Sequence, residues 1–380
     1  MKVHSFLFSV LLIVFGLQSS NLFLINGVYS ALSMVGLAVV LILLFSTSPT
    51  CFFSFLKTKY VSFILFLIIL QTIILLAILG LGGRNLLSYS RDVFMCLIFV
   101  LLGYTYAFNN VNLYKFFKLN IWIVCLAALS IIIFVAGGFR IQELYFSIPK
   151  NQFGPYFVQS ILLTFYLLIP TKNNPIVKKN ILFYFLMIPC ILVLLVMRTR
   201  TAMLGLALLF IIFIFYYTSN VKSKMTYLFI AIIAIMLSIE TIYNAFFLNF
   251  DTSSADSVTA GRTDVYMEAL KVIDRYPLTG RLFTNIEITQ NSISEQIHNY
   301  LLSIYFELGV FSFGFLIIYF SVLFYSAWRV FKYKLLSNLL ILLLFFVSLS
   351  EYTFPYAPGT TTFLPFFLLG YEILKPIRNE

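Results

Sequence analysis

Charged residues are scarce in this sequence of 380 residues, since Asp, Glu, Lys and Arg together make up 10%. Soluble domains carry about a quarter charged residues, so a soluble globular chain is excluded. The rest is 61% hydrophobic and 18% aromatic, in continuous apolar runs rather than the alternating pattern of a transmembrane β-barrel. We therefore expect an all-α, polytopic membrane protein.

Several motifs of soluble chemistry are also missing. The sequence has no P-loop, no Gly-x-Gly-x-x-Gly after a strand and no Asp-x-Asp pair for a metal-held sugar nucleotide. With only His4 and His298, a histidine metal cluster is excluded. The four cysteines have no metal-ligand spacing and are interpreted as small buried residues without a disulfide: Cys51, Cys96, Cys125 and Cys190. No metal, cofactor or nucleic-acid partner is expected.

The apolar runs predict about twelve spanning helices, because each needs about 20 residues. They lie near 5–25, 28–47, 60–80, 92–108, 117–138, 153–170, 181–197, 201–217, 225–243, 298–326, 335–350 and 359–374. The first run is interpreted as an uncleaved span rather than a signal peptide. Residues 1–243 thus carry helices 1–9, residues 244–297 form an extracytoplasmic loop, and residues 298–380 carry helices 10–12.

The basic residues support this order of spans, because every predicted inner loop carries lysine when the N-terminus is inside. The inner set is Lys2, Lys57, Lys59, Lys115, Lys118, Lys172, Lys178, Lys179, Lys222, Lys224, Arg329, Lys332, Lys334, Lys375 and Arg378. The outer set is mostly arginine: Arg84, Arg91, Arg140, Lys150, Arg198, Arg200, Arg262, Lys271, Arg275 and Arg281. Arginine offers a planar fork that fits phosphate oxygens, so the outer set indicates an anionic ligand. Pairing with Asp264, Glu268, Asp274 or headgroups is the structural alternative.

The long outer loop is predicted to contain an amphipathic helix. Apolar residues recur at helical spacing at Val265, Tyr266, Ala269, Leu270, Val272 and Ile273. Thr263 is the predicted N-cap, and Pro277 ends the helix after Arg275 and Tyr276. The helix is expected to lie on the membrane face, either as part of a site or as a packing lid.

His298 is the candidate catalytic residue, because it stands where the outer loop enters a span and titrates near neutral pH. Glu295, three residues earlier, is the rival base. A lone histidine at a membrane surface is often only a hydrogen-bonding residue. Here the same predicted face carries Arg198, Arg200 and Arg262, which indicates transfer on a phosphate-bearing molecule.

Four segments resemble, in order and spacing, the bacterial O-antigen ligase and polymerase superfamily of membrane glycosyltransferases. They are Asn151-Gln-Phe-Gly154, the Arg-Thr-Arg-Thr-Ala run ending at Ala202, Gly261-Arg262 with the helix to Pro277-Leu-Thr-Gly280, and His298-Asn299-x-Leu-x5-Glu307-x-Gly309. Together they cover roughly residues 150–315. The sequence departs from the family at Gly280-Arg281, where Gly-x-Gly is common, and at Tyr266, where Trp is common.

The resemblance implies a GT-C-like bundle that uses an undecaprenyl-diphosphate-linked glycan as donor and acceptor on the outer leaflet of the bacterial inner membrane. Arg200 and Arg262 resemble the family's diphosphate-binding arginines, and His298 resembles its essential histidine. Arg198, Asn299 and Asn151 complete the expected substrate-binding set. Membrane lipids and a chain-length regulator protein are the other expected partners.

Alternatives from other classes are weaker. A flippase or transporter should show inverted repeats or charges deep in the spans, and only Glu240, Glu307 and Glu351 approach them. A metal-dependent glycosyltransferase of another branch would carry a carboxylate in the first outer loop, and residues 18–27 contain none. Within the superfamily, the 380-residue length and the 44 phenylalanines favour a polymerase over a ligase that transfers glycan to the lipid A core, by analogy only.

The predicted topology can be tested by labelling introduced cysteines with a membrane-impermeant maleimide in intact cells. Ser254→Cys should be labelled because residues 244–297 are outside, whereas Ser223→Cys should not, because its loop is inside. The parent chain with its four native cysteines gives the background. Labelling at Ser223→Cys but not at Ser254→Cys would contradict the predicted orientation.

Overall fold

A computed structural model describes residues 49–58, 84–110, 113–138, 150–168, 181–197, 199–217, 262–280, 299–333, 336–349 and 360–374, with residues 62, 66, 69, 221, 225, 226, 228, 229 and 297. Every regular element in those residues is a helix, which confirms the all-α prediction. Helices are the expected solution in an apolar solvent, because each one satisfies its own backbone hydrogen bonds. The four cysteines are buried and free, as predicted.

Eleven α-helices are formed by the described residues. They are α1 Pro49–Leu56, α2 Arg84–Phe108, α3 Leu113–Ala136, α4 Lys150–Leu168, α5 Ile181–Val196, α6 Arg200–Tyr217, α7 Arg262–Arg275, α8 Tyr300–Leu308, α9 Phe313–Tyr333, α10 Leu336–Ser348 and α11 Thr360–Leu374. Two helical stretches, Leu113–Ala136 and Tyr300–Val330, are each long and apolar enough to cross a membrane.

The helices follow the order of the predicted spans, although α2 begins at Arg84 rather than near 92 and α9 ends at Tyr333 rather than near 326. α2 to α6 correspond to the fourth to eighth predicted spans, and α8 to α11 correspond to the last three. The first two predicted spans, and nearly all of the third and ninth, lie outside the described residues. The count of twelve therefore stays a prediction.

The tenth predicted span is interrupted at Gly309. Its backbone has φ 55 and ψ −138, a combination that glycine adopts without a Cβ penalty. A 3-10 turn, Gly309–Ser312, follows and leads into α9. The continuous apolar run therefore folds as two helices, and α8 is a separate short helix.

The packing of α2 on α11 fixes the relative direction of these two helices. Phe99 meets Phe363 with ring centroids 5.1 Å apart, and Tyr106 meets Phe367 at 5.5 Å. Because both contacts advance in the same chain direction, the helices run parallel. The backbones touch closely, since a Cβ on Gly103 would overlap the carbonyl of Phe367. Small residues permit this approach between membrane helices, and the predicted order of spans gives both helices the same direction.

The opposite ends of α10 define two ends of the bundle. At its end, the carbonyl of Leu349 accepts a hydrogen bond from Asn299, and we call this the Asn299 end. At its start, the hydroxyl of Ser337 donates to the carboxylate of Glu372, and we call this the Glu372 end. The two ends are about 18 Å apart along α10.

The Glu372 end contains a buried polar cluster that the sequence did not reveal. Glu372 is 0% exposed and Arg329 is 7% exposed, and the guanidinium of Arg329 donates to the backbone carbonyl of Glu372. The expectation that only Glu240, Glu307 and Glu351 approach the spans is therefore wrong. A carboxylate near the end of an apolar helix is assigned to the surface by hydropathy, whereas here α9 and α10 pack over it.

Candidate active site

Two of the four segments that carry the family resemblance meet where α4 packs on α6. A Cβ on Gly154 would overlap the Cβ of Ala202 and would lie 3.2 Å from the Cβ of Thr199. Thr199 and Ala202 are both buried, at 1% and 2% exposed. Gly154 therefore lets the start of α4 lie directly against the start of α6.

This contact lies at the Asn299 end. Farther along α6, a Cβ on Gly205 would meet the side chains of Leu343 and Phe346 on α10, one to two turns before Leu349. Because the predicted order of spans makes α6 antiparallel to α10, the start of α6 lies at the level where α10 ends. Lys150 and Arg200, the first residues of α4 and α6, begin their helices at this same end.

The other two segments meet where the loop helix α7 packs on α8. α7 begins at Arg262, so Thr263 lies inside the helix and the prediction of Thr263 as N-cap is wrong. The predicted stop is confirmed, because the helix ends at Arg275 and a turn from Pro277 to Gly280 follows.

One face of α7 contacts α8. Ala269 and Ile273 form a buried cluster with Ile297 and Phe306. The residues packed against this cluster are Val265, Tyr266, Val272, Leu302 and Tyr305. Leu270 is 43% exposed, so it is not part of the face, although the apolar pattern of the sequence included it. The helix is thus an integral layer over α8.

Two glycines bring the turn after α7 against the end of α8. Gly280 has φ +57, and a Cβ there would lie 2.6 Å from the nitrogen of Gly309 and 2.6 Å from the carbonyl oxygen of Phe306. Gly309 has φ +55, and a Cβ there would lie 2.6 Å from the nitrogen of Gly280 and 2.7 Å from the carbonyl carbon of Leu278. The N–H of Val310 donates to the carbonyl of Pro277 at 3.1 Å. Both positions therefore require glycine, for conformation and for space.

Asn299 connects α8 to α10. It is the N-cap of α8, and its side-chain oxygen accepts from the N–H of Leu302 at 2.9 Å. Its side-chain amide donates to the carbonyl of Leu349 at 2.9 Å. On the other side of His298, Ile297 is 0% exposed beneath α7. Both neighbours of His298 are therefore anchored, one to α7 and one to α10.

The predicted site residues differ in how far the structure describes them. Asn151 lies in the first turn of α4, and Arg200 and Arg262 are the first residues of α6 and α7. Their side chains are not described. His298, Glu295 and Arg198 lie outside the described residues.

The helix starts have an unusual charge pattern. α4 and α6 begin with a cation, Lys150 and Arg200, and neither helix has an acid in its first turn. The positive end of a helix dipole disfavours cations by roughly 0.3–1 kcal/mol, and the first N–H groups lack helical partners. An anion bound at these starts would be stabilised by the dipole, the N–H groups and the side-chain charges together.

Comparison with known families identifies the region that contains these contacts. Residues 184–317 match the family model described as O-antigen ligase. This segment of the chain is similar to the O-antigen ligase family. The match contains α6, α7 and α8, so three of the four resembling segments lie inside it, and Asn151–Gly154 precedes it. No curated protein and no solved structure matches the chain.

The match confirms the resemblance to the O-antigen ligase and polymerase superfamily. With the apolar helices, it indicates a membrane enzyme of glycosyltransferase type that acts in polysaccharide assembly. The matched residues include the loop helix and the segment around His298, whereas α2 and α3 lie before them.

The docking of α7 on α8 should depend on Gly280. A Cβ at this position would overlap its neighbours, which costs roughly 1–3 kcal/mol. The left-handed backbone conformation of a non-glycine residue costs roughly 1–2 kcal/mol more. We expect Gly280→Ala to raise amide hydrogen exchange across residues 262–280 and to abolish glycan transfer.

Gly138→Ala is the matched control, because Gly138 has φ +86 and a Cβ there would have nothing within 4 Å. It carries the backbone penalty without the overlap, so exchange in α7 should stay at the wild-type level. If Gly280→Ala shows wild-type amide hydrogen exchange in α7 and wild-type glycan transfer, neither property requires close docking of the turn on α8.

Proposed function

We propose that the protein is a polysaccharide polymerase that joins undecaprenyl-diphosphate-linked repeat units on the outer leaflet of the bacterial inner membrane. The observation that carries the proposal is that the family segments contact one another in two pairs, α4 with α6 and α7 with α8, both at the Asn299 end. Arg200 begins α6 there, and His298 follows Ile297, which is buried under α7. The turn after α7 contacts Gly309, and the middle of α7 contacts Ile297. Arg262, at the start of α7, therefore lies toward the Ile297 end of α8 rather than the Gly309 end.

The reaction requires an activated acceptor and a stabilised leaving group. In our proposal, His298 accepts the proton of an acceptor sugar hydroxyl as its oxygen bonds to the donor's anomeric carbon. The bond from that carbon to the diphosphate breaks, and the carrier diphosphate leaves with the electron pair. Arg200 and Arg262 neutralise the charge that develops on it, and Arg198 and Asn151 belong to the same expected set.

Arginines take the place of a metal in this proposal. A guanidinium binds two phosphate oxygens at once, and the helix starts at Lys150 and Arg200 add N–H donors for the remaining oxygens. Transfer is therefore expected without a divalent cation.

A ligase is the second candidate, because the matching family model is described as O-antigen ligase. A ligase would use the same donor, arginines and base, but its acceptor would be a lipid A core rather than a second lipid-linked unit. Proteoliposomes supplied with the donor alone, or with donor and lipid A core, separate the two. Chains of increasing length with donor alone indicate a polymerase, and glycan on the core without such chains indicates a ligase.

The role of His298 is tested in the same proteoliposomes. His298→Ala should abolish transfer while the lipid-linked donor remains unused, because the variant lacks the group that takes the acceptor proton. The activity of the wild-type protein should persist in EDTA. Glu295→Gln should be milder. Full activity without the imidazole, or loss of transfer in EDTA, would overturn the proposed mechanism.

Phosphate recognition by arginine is tested by exchange for lysine, which keeps the charge but loses the fork. A charge-assisted bidentate pair contributes about 1.5–3 kcal/mol, so Arg200→Lys and Arg262→Lys should each lose roughly ten- to a hundredfold in kcat/KM at normal expression. Arg275→Lys is the control, because Arg275 is exposed at the opposite end of α7. Wild-type rates in both test variants would exclude diphosphate clamping by these residues.

A further inference from the structure

Asn299 was expected to contact the substrate, but both ends of its side chain are engaged within the protein. The oxygen caps α8 through Leu302, and the amide nitrogen donates to the carbonyl of Leu349. The second bond joins residues 50 positions apart in the chain. These contacts leave the side chain committed to holding two helices together.

We propose that Asn299 is a positioning residue that fixes His298 relative to the end of α10. This inference rests on the proposed function of His298 as the base. The backbone of Asn299 is extended, with φ −148 and ψ 117, so Asn299 lies just outside α8 and is joined to it by the cap, which by itself does not fix α8 relative to α10. The bond to Leu349 supplies the missing restraint on the α10 side, and burial of Ile297 beneath α7 supplies it on the other.

The two hydrogen bonds have different consequences and can be separated by substitution. The cap satisfies a first-turn N–H of α8 and contributes to folding. The bond to Leu349 sets where the start of α8 lies relative to α10. Asp and Ser both cap helices well, but neither donates to Leu349 as the amide of Asn299 does.

The experiment compares Asn299→Asp, Asn299→Ser and Asn299→Ala in proteoliposomes containing the full chain and the lipid-linked donor. Asp has the shape of Asn but adds a charge, and Ser adds none, so an effect shared by both is due to the lost donor. We expect kcat to fall about ten- to a hundredfold in both, as for misplacement of a catalytic group by about 1 Å. KM should stay at the wild-type value.

Asn299→Ala loses the cap as well, so it should also melt at a lower temperature. Thr58→Ala is the control, because it removes a side-chain hydrogen bond to the carbonyl of Phe55, far along the chain from the matched residues 184–317. Its kcat should equal that of wild type.

Other outcomes give clear answers. If KM for the donor rises while kcat is unchanged in Asn299→Ser and Asn299→Asp, the residue binds substrate directly and the positioning role is wrong. If kcat is unchanged in both and His298→Ala is inactive, the inference fails while the proposed function stands. If His298→Ala retains full activity, the proposed base itself is wrong.

Discussion

The contact between Gly280 and Gly309 is the constraint on which the arrangement of the site depends. Both residues have positive φ, and a Cβ on either would lie 2.6 Å from a backbone nitrogen of the other. This approach aligns the loop helix with α8, so that Ala269 and Ile273 bury Ile297. Ile297 precedes His298, the base in our proposal, so a contact between two main chains supports the segment next to the proposed base.

The rest of the bundle extends this arrangement to the arginines. Gly154 lets α4 and α6 approach at their starts, and Gly205 lets α6 lie against α10. α10 in turn ends at Leu349, which holds Asn299. In a membrane the hydrophobic effect does not drive helices together, so close packing through small residues does much of this work. Three glycine contacts and one hydrogen bond thus link segments that are far apart in sequence.

Much of the fold was predictable from local patterns. The bounds of α3 to α6, α10 and α11 follow from apolar runs and their polar breaks, and α7 follows from its helical period and Pro277. What the sequence could not reveal depends on contacts between distant residues. Gly280 pairs with Gly309, Asn299 with Leu349, and Glu372 with Ser337, and no spacing rule predicts such pairs. The family resemblance identified the segments, and the structure shows which of their residues contact one another.

The central claim is that the carrier diphosphate binds at the Asn299 end, between the starts of α6 and α7 and beside His298. Cryo-electron microscopy of the protein with undecaprenyl diphosphate tests it most directly. The account predicts density for the diphosphate within hydrogen-bonding distance of Arg200 and Arg262, with the imidazole of His298 facing the same space. Density at the Glu372 end, or a diphosphate held without either arginine, would contradict it.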